Sequence, residues 1–241
     1  MMAYTTINKS SDYFNTKLYA GNGNDNTTIT GVGFQPNLSW IKARDKVENQ
    51  LFTDAARGGN KQIYSSLADA ETSDGNKLKS FNTDGFTIGT SDAVNNSISN
   101  YASWNWLAGT TSGLSGGTIT PSSYSFNTTS KFGIYKYTGN GSSGATITHG
   151  LGAIPRLIIV KRLDTTGSWQ VLGNGLGQSG ATAYGILNSK NGFTSNSNRW
   201  NNTAPTTSLF SLGNSAEVNG NGGTYVAYVW CNVPGYFKGG L

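Results

Sequence analysis

An internal repeat is the feature that most restricts how this chain can fold. Residues 19–45 and residues 137–164 contain the same order of glycines, apolar residues, a proline and an aspartate. The offset between them is 118 residues at first and 119 from Pro36 onward, so one residue is inserted near His149. Further segments match at an offset of 124, namely 86–89 with 210–213 and 101–106 with 225–230. A repeat of this length predicts two copies of one folding unit.

Composition and turn signals favour an all-β protein. Glycine accounts for 33 of the 241 residues and charged residues for only 12%, whereas aromatic residues reach 12%. Several segments alternate between polar and apolar positions, which is typical of strands, and Asn-Gly or Asp-Gly pairs typical of tight hairpin turns recur along the chain. We therefore expect short antiparallel strands in a sandwich or a barrel.

One strand in each copy has a marked alternation. In residues 101–106 it places Ala102, Trp104 and Trp106 on one face. The equivalent face in the second copy consists of Val226, Tyr228 and Trp230. We expect this face to point into the core of each unit, because large apolar side chains gain most from burial.

The repeat and the composition together predict the domain organisation. The expected parts are a polar N-terminal arm at 1–13, a first repeat unit at 14–108, a linker rich in Gly, Ser and Thr with a lead-in strand at 109–130, and a second unit at 131–241. Residues 236–241 match residues 13–18, so the chain ends one strand into what would be a third copy. That strand either closes the second unit or belongs to a longer repeat protein.

Charge and hydropathy argue against nucleic acids and membranes as partners. The formal net charge is −1 for residues 1–109 and +6 for residues 110–241, and the basic residues of the second part are dispersed. Dispersed charge favours a solvated surface over a nucleic-acid groove. No apolar segment approaches the ~18 residues of a membrane span, and the N-terminus lacks the parts of a signal peptide. We expect neither nucleic-acid binding nor membrane insertion.

The titratable residues do not form a pattern typical of catalysis. Glycoside hydrolysis requires two carboxylates ~5–9 Å apart, and Asp164 and Glu217 are the only acids after residue 109. Asp164 matches Asp45 in position, which favours a turn or an ion pair. His149 is the only histidine and is expected to be a loop residue that bonds to the backbone. We expect no enzyme, no catalytic residue, no metal site and no cofactor.

Two further features have both a functional and a structural interpretation. Asp69, Glu71 and Asp74 precede a glycine and could supply oxygen ligands to Ca²⁺. Their spacing is not that of an EF-hand loop, which favours an acidic surface loop. Cys231 is the only cysteine, so it cannot form an internal disulfide, and a small buried side chain is expected there.

Trp169, Trp200 and Tyr184 are the candidate ligand-binding residues. They lie in polar, Asn-rich surroundings in the second copy. A sugar can stack on an aromatic ring and bond to neighbouring amides. The structural alternative is that the two tryptophans pin long loops onto the sandwich, a common role of aromatic side chains in loop-rich β domains.

Several segments resemble a group of viral proteins. These segments are residues 3–10, 12–19, 31–36, 40–42, 80–89 and 225–228. Over nearly its whole length the chain resembles repeat-containing virion structural and tail-fibre-like proteins of tailed bacteriophages, especially marine ones. The resemblance implies two tandem antiparallel β-sandwiches of the jelly-roll or concanavalin-like kind, and a structural role without an assigned activity.

The resemblance and the missing catalytic pattern together favour a non-enzymatic virion protein exposed on the particle surface. It would be a tail fibre, an appendage or a capsid decoration that mediates assembly or host contact. The expected partners are other virion proteins and further copies in a homo-oligomer, a trimer or larger. The alternative is a carbohydrate-binding module that recognises host surface glycans.

Overall fold

The computed structural model describes residues 6–173 and 181–239. They divide into two compact units. The first unit is Lys9–Ala108, and the second comprises the described residues from Gly109 onward together with residues 6–8. Both units are built from antiparallel sheets with very little helix, so the all-β expectation is confirmed.

The first unit contains a large and a small sheet. After a short 3₁₀ helix at Ser10–Asp12, its elements are β1 (Phe14–Ala20), β2 (Thr27–Thr30), β3 (Leu38–Ala43), β4 (Leu51–Asp54), β5 (Lys61–Tyr64), β6 (Thr72–Ser73), β7 (Leu78–Asn82), β8 (Gly85–Ile88), α1 (Asp92–Asn95) and β9 (Asn100–Trp106). The large sheet has the order β1-β9-β3-β4-β5-β6, and the small sheet has the order β2-β8-β7.

The second unit also contains a large and a small sheet. Its elements are β10 (Ser123–Asn127), β11 (Phe132–Thr138), β12 (Ala145–Thr148), β13 (Pro155–Arg162), β14 (Gln170–Gly173), β15 (Ala183–Ile186), β16 (Thr194–Ser195), α2 (Ser197–Trp200), β17 (Leu209–Leu212) and β18 (Thr224–Cys231). The large sheet has the order β10-β11-β18-β13-β14-β15-β16, and β12 pairs with β17.

The two units share one strand order. The run β11-β18-β13-β14-β15-β16 follows the order of β1-β9-β3-β4-β5-β6, and the pair β12-β17 corresponds to β2-β8. In the described residues, the second unit adds β10 beside β11, and the first unit adds β7 beside β8. This correspondence agrees with the sequence repeat, and the duplication itself stays a prediction.

In each unit the large and the small sheet face one another across a hydrophobic core, the arrangement of a β-sandwich. The first core joins residues of both sheets and α1, among them Ile29, Ile41, Leu51, Phe86, Val94 and Tyr101. The second core likewise includes Tyr137, Ile147, Ile158, Trp200, Phe210 and Tyr225. Burial of this apolar surface is the main favourable contribution to folding.

The face of β9 that was expected to line the core is the opposite one. Tyr101 belongs to the core, whereas Trp104 and Trp106 lie on the other face and are partly exposed. The prediction was wrong because the inner face tolerates polar groups. The Tyr101 hydroxyl donates to the carbonyl of Asp92 at 2.6 Å, and Asn105 Nδ2 donates to Ser103 Oγ at 3.0 Å, so neither is buried without a partner.

For the second copy the predicted burial of Val226, Tyr228 and Trp230 is confirmed, and the opposite face of the strand is buried as well. Tyr225, Ala227 and Val229 of β18 belong to the core between the two sheets. Val226, Tyr228 and Trp230 are buried on the opposite face of the same strand. Since both faces of this strand carry apolar residues, alternation alone could not select the inner one.

Residues 109–130 are built into the second unit. The lead-in strand expected there is β10, which pairs with β11. The residues before it also contact the unit, because Thr110 is bridged to Phe126 and the segment at Ile119 is bridged to Ile147 of β12. Ile119 is 5% exposed. The Gly/Ser-rich part of the expected linker therefore contributes to the second core.

The C-terminal residues form a turn where a further strand was expected. Val233 and Phe237 are joined by an isolated bridge, and the residues between them form the turn. The end of the expected strand, residues 240–241, lies outside the described residues.

Candidate functional site

Three tryptophans line a groove on the outer face of the large sheet of the first unit. Trp40 in β3 is the register partner of Trp104 in β9, and Trp106 follows two residues further on the same face. With Lys42 and Gln50 they surround a space of about 420 Å³. This volume falls within the ~300–1,000 Å³ typical of small-molecule sites. We call these five residues the tryptophan groove.

Contacts between rings hold the groove in place. The ring centroids of Trp40 and Trp104 are 5.9 Å apart with planes inclined by 56°, and those of Trp40 and Phe52 are 5.4 Å apart with planes inclined by 61°. Aromatic pairs favour such inclined contacts, which contribute ~0.5–1.5 kcal/mol beyond area burial. Each of the three tryptophans of the groove keeps part of its surface exposed. The groove is therefore both preformed and accessible.

The indole N–H of Trp40 has no hydrogen-bond partner among the described residues. Its Nε1 atom is buried. An indole nitrogen can only donate, and a buried donor without an acceptor costs ~1–3 kcal/mol. Trp40, one of the residues that line the groove, therefore has a buried polar atom that folding leaves without a partner among the described residues.

Lys42 and Gln50 give the groove a polar part. The Lys42 ammonium donates to the carbonyl of Lys46 at 2.9 Å, which holds its charge in place. Gln50 is half-buried and provides an amide, which can both donate and accept. The groove thus combines flat apolar rings with a few polar groups.

The equivalent face of the second unit is closed. Tyr228 and Trp230 stand where the first unit has Trp104 and Trp106, and they are 0% and 5% exposed. The ring of Trp169 stacks on that of Tyr228, with centroids 6.3 Å apart. The tryptophan groove is therefore a feature in which the two units differ.

The ligand-binding residues predicted from the sequence do not form an accessible site. Trp169 and Trp200 are both 0% exposed, so neither ring offers a face to a sugar. Tyr184 is partly buried against the core, and the Arg199 guanidinium lies 4.7 Å from its ring centroid. Both tryptophans are among the largest fully buried side chains. Their burial agrees with the structural alternative, in which they pin loops onto the sandwich, better than with ligand binding.

The sequence did indicate the aromatic face that forms the groove, but that face was expected to be buried in the core. Trp104 and Trp106 were recognised as one face of a strand, and Trp40 belongs to the matched strand of the first copy. Ser103 and Asn105 alternate with them and are polar, yet these two residues are the buried ones. The alternation of polar residues and tryptophans along a strand does not by itself indicate which face is buried.

The acidic loop is held by cations of the chain. Glu71 accepts a hydrogen bond from Arg57 Nη1 at 2.9 Å, and Arg57 Nε donates to Asp54 at 2.6 Å. Asp74 pairs with Lys77, and this hydrogen bond lowers the pKa of Asp74. Among the described residues, no three His, Cys, Asp or Glu side chains converge in a way that could hold a metal ion.

Asp45 and Asp164 both act as turn residues. Asp45 accepts a hydrogen bond from the Asn100 N–H at 2.8 Å, which lowers its pKa. Asp164 accepts two hydrogen bonds from the Arg162 guanidinium at 3.0 and 2.9 Å, and this pairing lowers its pKa. The turn or ion pair expected at these positions is confirmed.

His149 is a buried structural residue. Its Nδ1 accepts from the Leu151 N–H at 3.2 Å, so Nε2 carries the proton and donates to the carbonyl of Thr206 at 3.2 Å. Burial lowers the pKa of His149 to about 4, because the charged imidazolium would lose its hydration. The expected bond to the backbone is confirmed.

Cys231 is buried, as expected. Its Sγ lies 3.2 Å from the carbonyl oxygen of Ala153. Burial raises the pKa of the thiol to about 12, so the reactive thiolate is scarce at neutral pH.

Residues 9–241 match the model of a family described as a domain of unknown function, DUF7483. The chain belongs to this family. The DUF7483 match begins at Lys9, where the first unit begins, and it includes both units. No curated protein and no solved structure matches the chain. In the part of the chain that the structure describes, no helix is long and apolar enough to cross a membrane.

Proposed function

We propose that this member of the DUF7483 family is a non-enzymatic structural protein on the surface of a tailed-phage particle. The observation that carries the proposal is the resemblance of nearly the whole chain to phage virion proteins. The residues behind the resemblance belong largely to the scaffold. Residues 80–89 contain most of β7 and all of β8, residues 40–42 lie in β3, and residues 225–228 lie in β18.

Hydrogen bonds fix a turn within the segments that carry this resemblance. In the turn between β7 and β8, the Asp84 carboxylate accepts hydrogen bonds from the N–H groups of Gly31 and Gly33 at 2.8 and 2.5 Å. These bonds lower the pKa of Asp84. Fixed turns of this kind suit a protein whose task is to hold a shape.

A sheet edge of the first unit supports a role in assembly. β1 is the last strand of its sheet among the described residues, whereas its counterpart β11 is covered by β10. Leu107 N–H donates to Tyr13 O, and Gly21 N–H donates to Ser99 O, each at 2.9 Å. Since bonded and non-bonded pairs alternate in an antiparallel ladder, the backbone groups of Leu18 point away from β9.

We assign this edge to a second copy of the chain. An edge with unused N–H and C=O groups is a template for strand pairing. Leu18 on this edge is 57% exposed, so pairing of two β1 strands would also bury apolar surface. The Leu18→Pro variant described in the Discussion tests this contact.

The particle role is tested by quantitative mass spectrometry of gradient-purified particles of a phage that encodes the chain. The expected result is a constant, high copy number that travels with the major capsid or tail protein through the gradient. A protein found only in the soluble lysate fractions would overturn the proposal.

Carbohydrate recognition is the second candidate function, and the tryptophan groove is the observation that favours it. The burial of Trp169 and Trp200 removes the surface on which this function was first expected. The groove offers three partly exposed indoles in their place. A glycan array probed with the full chain tests the function, and an array without hits would contradict it.

A further inference from the structure

We infer that the tryptophan groove of the first unit binds a saccharide through ring stacking on Trp104 and hydrogen bonds at Trp40 and Gln50. The inference rests on the second candidate function and assigns it a site and a ligand class. None of the residues involved is among those predicted from the sequence to bind a ligand.

The shape of the groove is the first argument. Trp40 and Trp104 are register partners on adjacent strands, so the sheet itself fixes their spacing. The C–H groups on one side of a pyranose ring are apolar and slightly positive, and the face of an indole is negative. A saccharide ring can therefore lie against the face of Trp104 without any change of the backbone, with the inclined ring of Trp40 beside it.

The polar atoms are the second argument. The buried Nε1 of Trp40 lacks an acceptor among the described residues. Gln50 contributes an amide to the same groove, and Lys42 an ammonium group. Hydroxyl groups can accept from the Lys42 ammonium and the Gln50 amide and can donate to the amide oxygen, and the Trp40 indole donates as well once its side chain turns Nε1 toward the ligand. This mixture of rings and donors fits a ligand that is apolar on its face and rich in hydroxyls at its edge.

The second unit supplies the third argument. Its equivalent face is covered, with Trp169 stacked on Tyr228. The same strand order therefore exists with this face closed in one unit and open in the other. In the second unit the ring of Trp169 covers this face, so the exposure of the face in the first unit is not a necessity of the fold.

Three variants give a test in which each has a distinct expected result. Trp104→Ala removes the stacking ring, and we expect about tenfold weaker binding of the saccharide that the array identifies. Trp40→Phe keeps the ring but removes the N–H, and we expect binding to weaken about threefold to tenfold while the fold keeps or gains stability. Trp200→Phe is the matched control, since Trp200 also has a buried indole N–H without a partner in the described part of the chain but lies in the second core.

The experiment is a glycan array with the full chain, followed by calorimetric titration of the best saccharide into wild type and variants. Binding that falls in Trp104→Ala and Trp40→Phe but not in Trp200→Phe supports the site. An array without hits overturns both the carbohydrate function and the site. If wild type, Trp40→Phe and Trp104→Ala all bind the saccharide with equal affinity, the proposed site is wrong, whereas the carbohydrate function stands. If the groove binds a proline-rich peptide and no saccharide, the assignment of saccharides as the ligand class is wrong.

Discussion

Asn95 and Asn219 make the same three side-chain hydrogen bonds, one set in each unit. Asn95 Nδ2 donates to the carbonyls of Asn24 and Gly89 at 2.8 and 2.9 Å, and its Oδ1 accepts from the Asn22 N–H at 2.9 Å. Asn219 has the equivalent partners Ser142, Gly213 and Asn140, at 2.9, 3.0 and 2.9 Å. Each asparagine thus joins its own segment to two others, 22–24 and Gly89 in the first unit and 140–142 and Gly213 in the second.

Asn219→Ala is expected to destabilise the second unit by about 2–4 kcal/mol, because it removes three hydrogen bonds and leaves buried backbone groups unpaired. Cys231 is a convenient reporter, since the only thiol of the chain is buried in this unit. We expect a thiol reagent to label Cys231 at least tenfold faster in Asn219→Ala than in wild type. Asn95→Ala changes the first unit instead, so Cys231 should be labelled at the wild-type rate in that variant. Equal labelling rates in all three proteins would contradict the stabilising role of Asn219 in the second unit.

The second unit is expected to lose stability as the pH falls below about 6.5. His149 is neutral in the fold with a pKa of about 4 and becomes charged more readily when unfolded, so unfolding takes up a proton in this window. The loss amounts to about 3 kcal/mol between neutral pH and pH 4.

The measurement is urea unfolding at several pH values for wild type and His149→Gln. The variant should be less stable than wild type at pH 7, because it loses the two backbone contacts of the imidazole. Its stability should then change less between pH 6.5 and pH 4. An identical pH dependence in both proteins would show that His149 is not the titrating group.

Gly85→Ala is expected to unfold or strongly destabilise the first unit. Gly85 has φ of 144°, and a Cβ there would lie 2.0 Å from the carbonyl oxygen of Ile29 across the β2–β8 pair. The backbone of that strand cannot yield without breaking the ladder. Gly75 is the matched control, since a Cβ there would have no atom of the described residues within 4 Å, and Gly75→Ala should change stability by less than about 1 kcal/mol. Thermal unfolding of both variants separates the two cases.

Leu18→Pro is expected to reduce self-association while the first unit stays folded. The proline removes an N–H that points away from β9, and proline is tolerated on edge strands. Val47→Ser is the control, because Val47 is fully exposed but lies outside β1. Sedimentation velocity over a range of concentrations should show larger species for wild type and Val47→Ser than for Leu18→Pro. Equal association of all three proteins would exclude the β1 edge.

The fold class could be predicted from the sequence because turns and strands are indicated by residues that are close together in the chain. Pairs such as Asn140-Gly141, with Gly141 at φ of 72°, tolerate the backbone of tight turns, and the alternation between them indicates strands. The matched glycines and aspartates also occupy equivalent turns, as Asp45 and Asp164 do. Such features depend on residues close in sequence.

The site could not be predicted because it depends on which side of a strand is covered. Trp104 and Trp106 have the pattern of core residues, and only the partner sheet, which packs against Tyr101, decides that they face outward. Trp169 and Trp200 show the converse error, since their polar neighbours in sequence suggested exposure although both are buried. Neither outcome follows from the residues within one strand or loop.

The central claim is that this protein is a repeated component of a phage particle surface, and cryo-electron microscopy of the particle tests it most directly. The account predicts symmetry-related copies of density on the capsid exterior or the tail into which the sandwich of Lys9–Ala108 fits, with the tryptophan groove facing solvent. A particle whose entire external density is assigned to other proteins would contradict it.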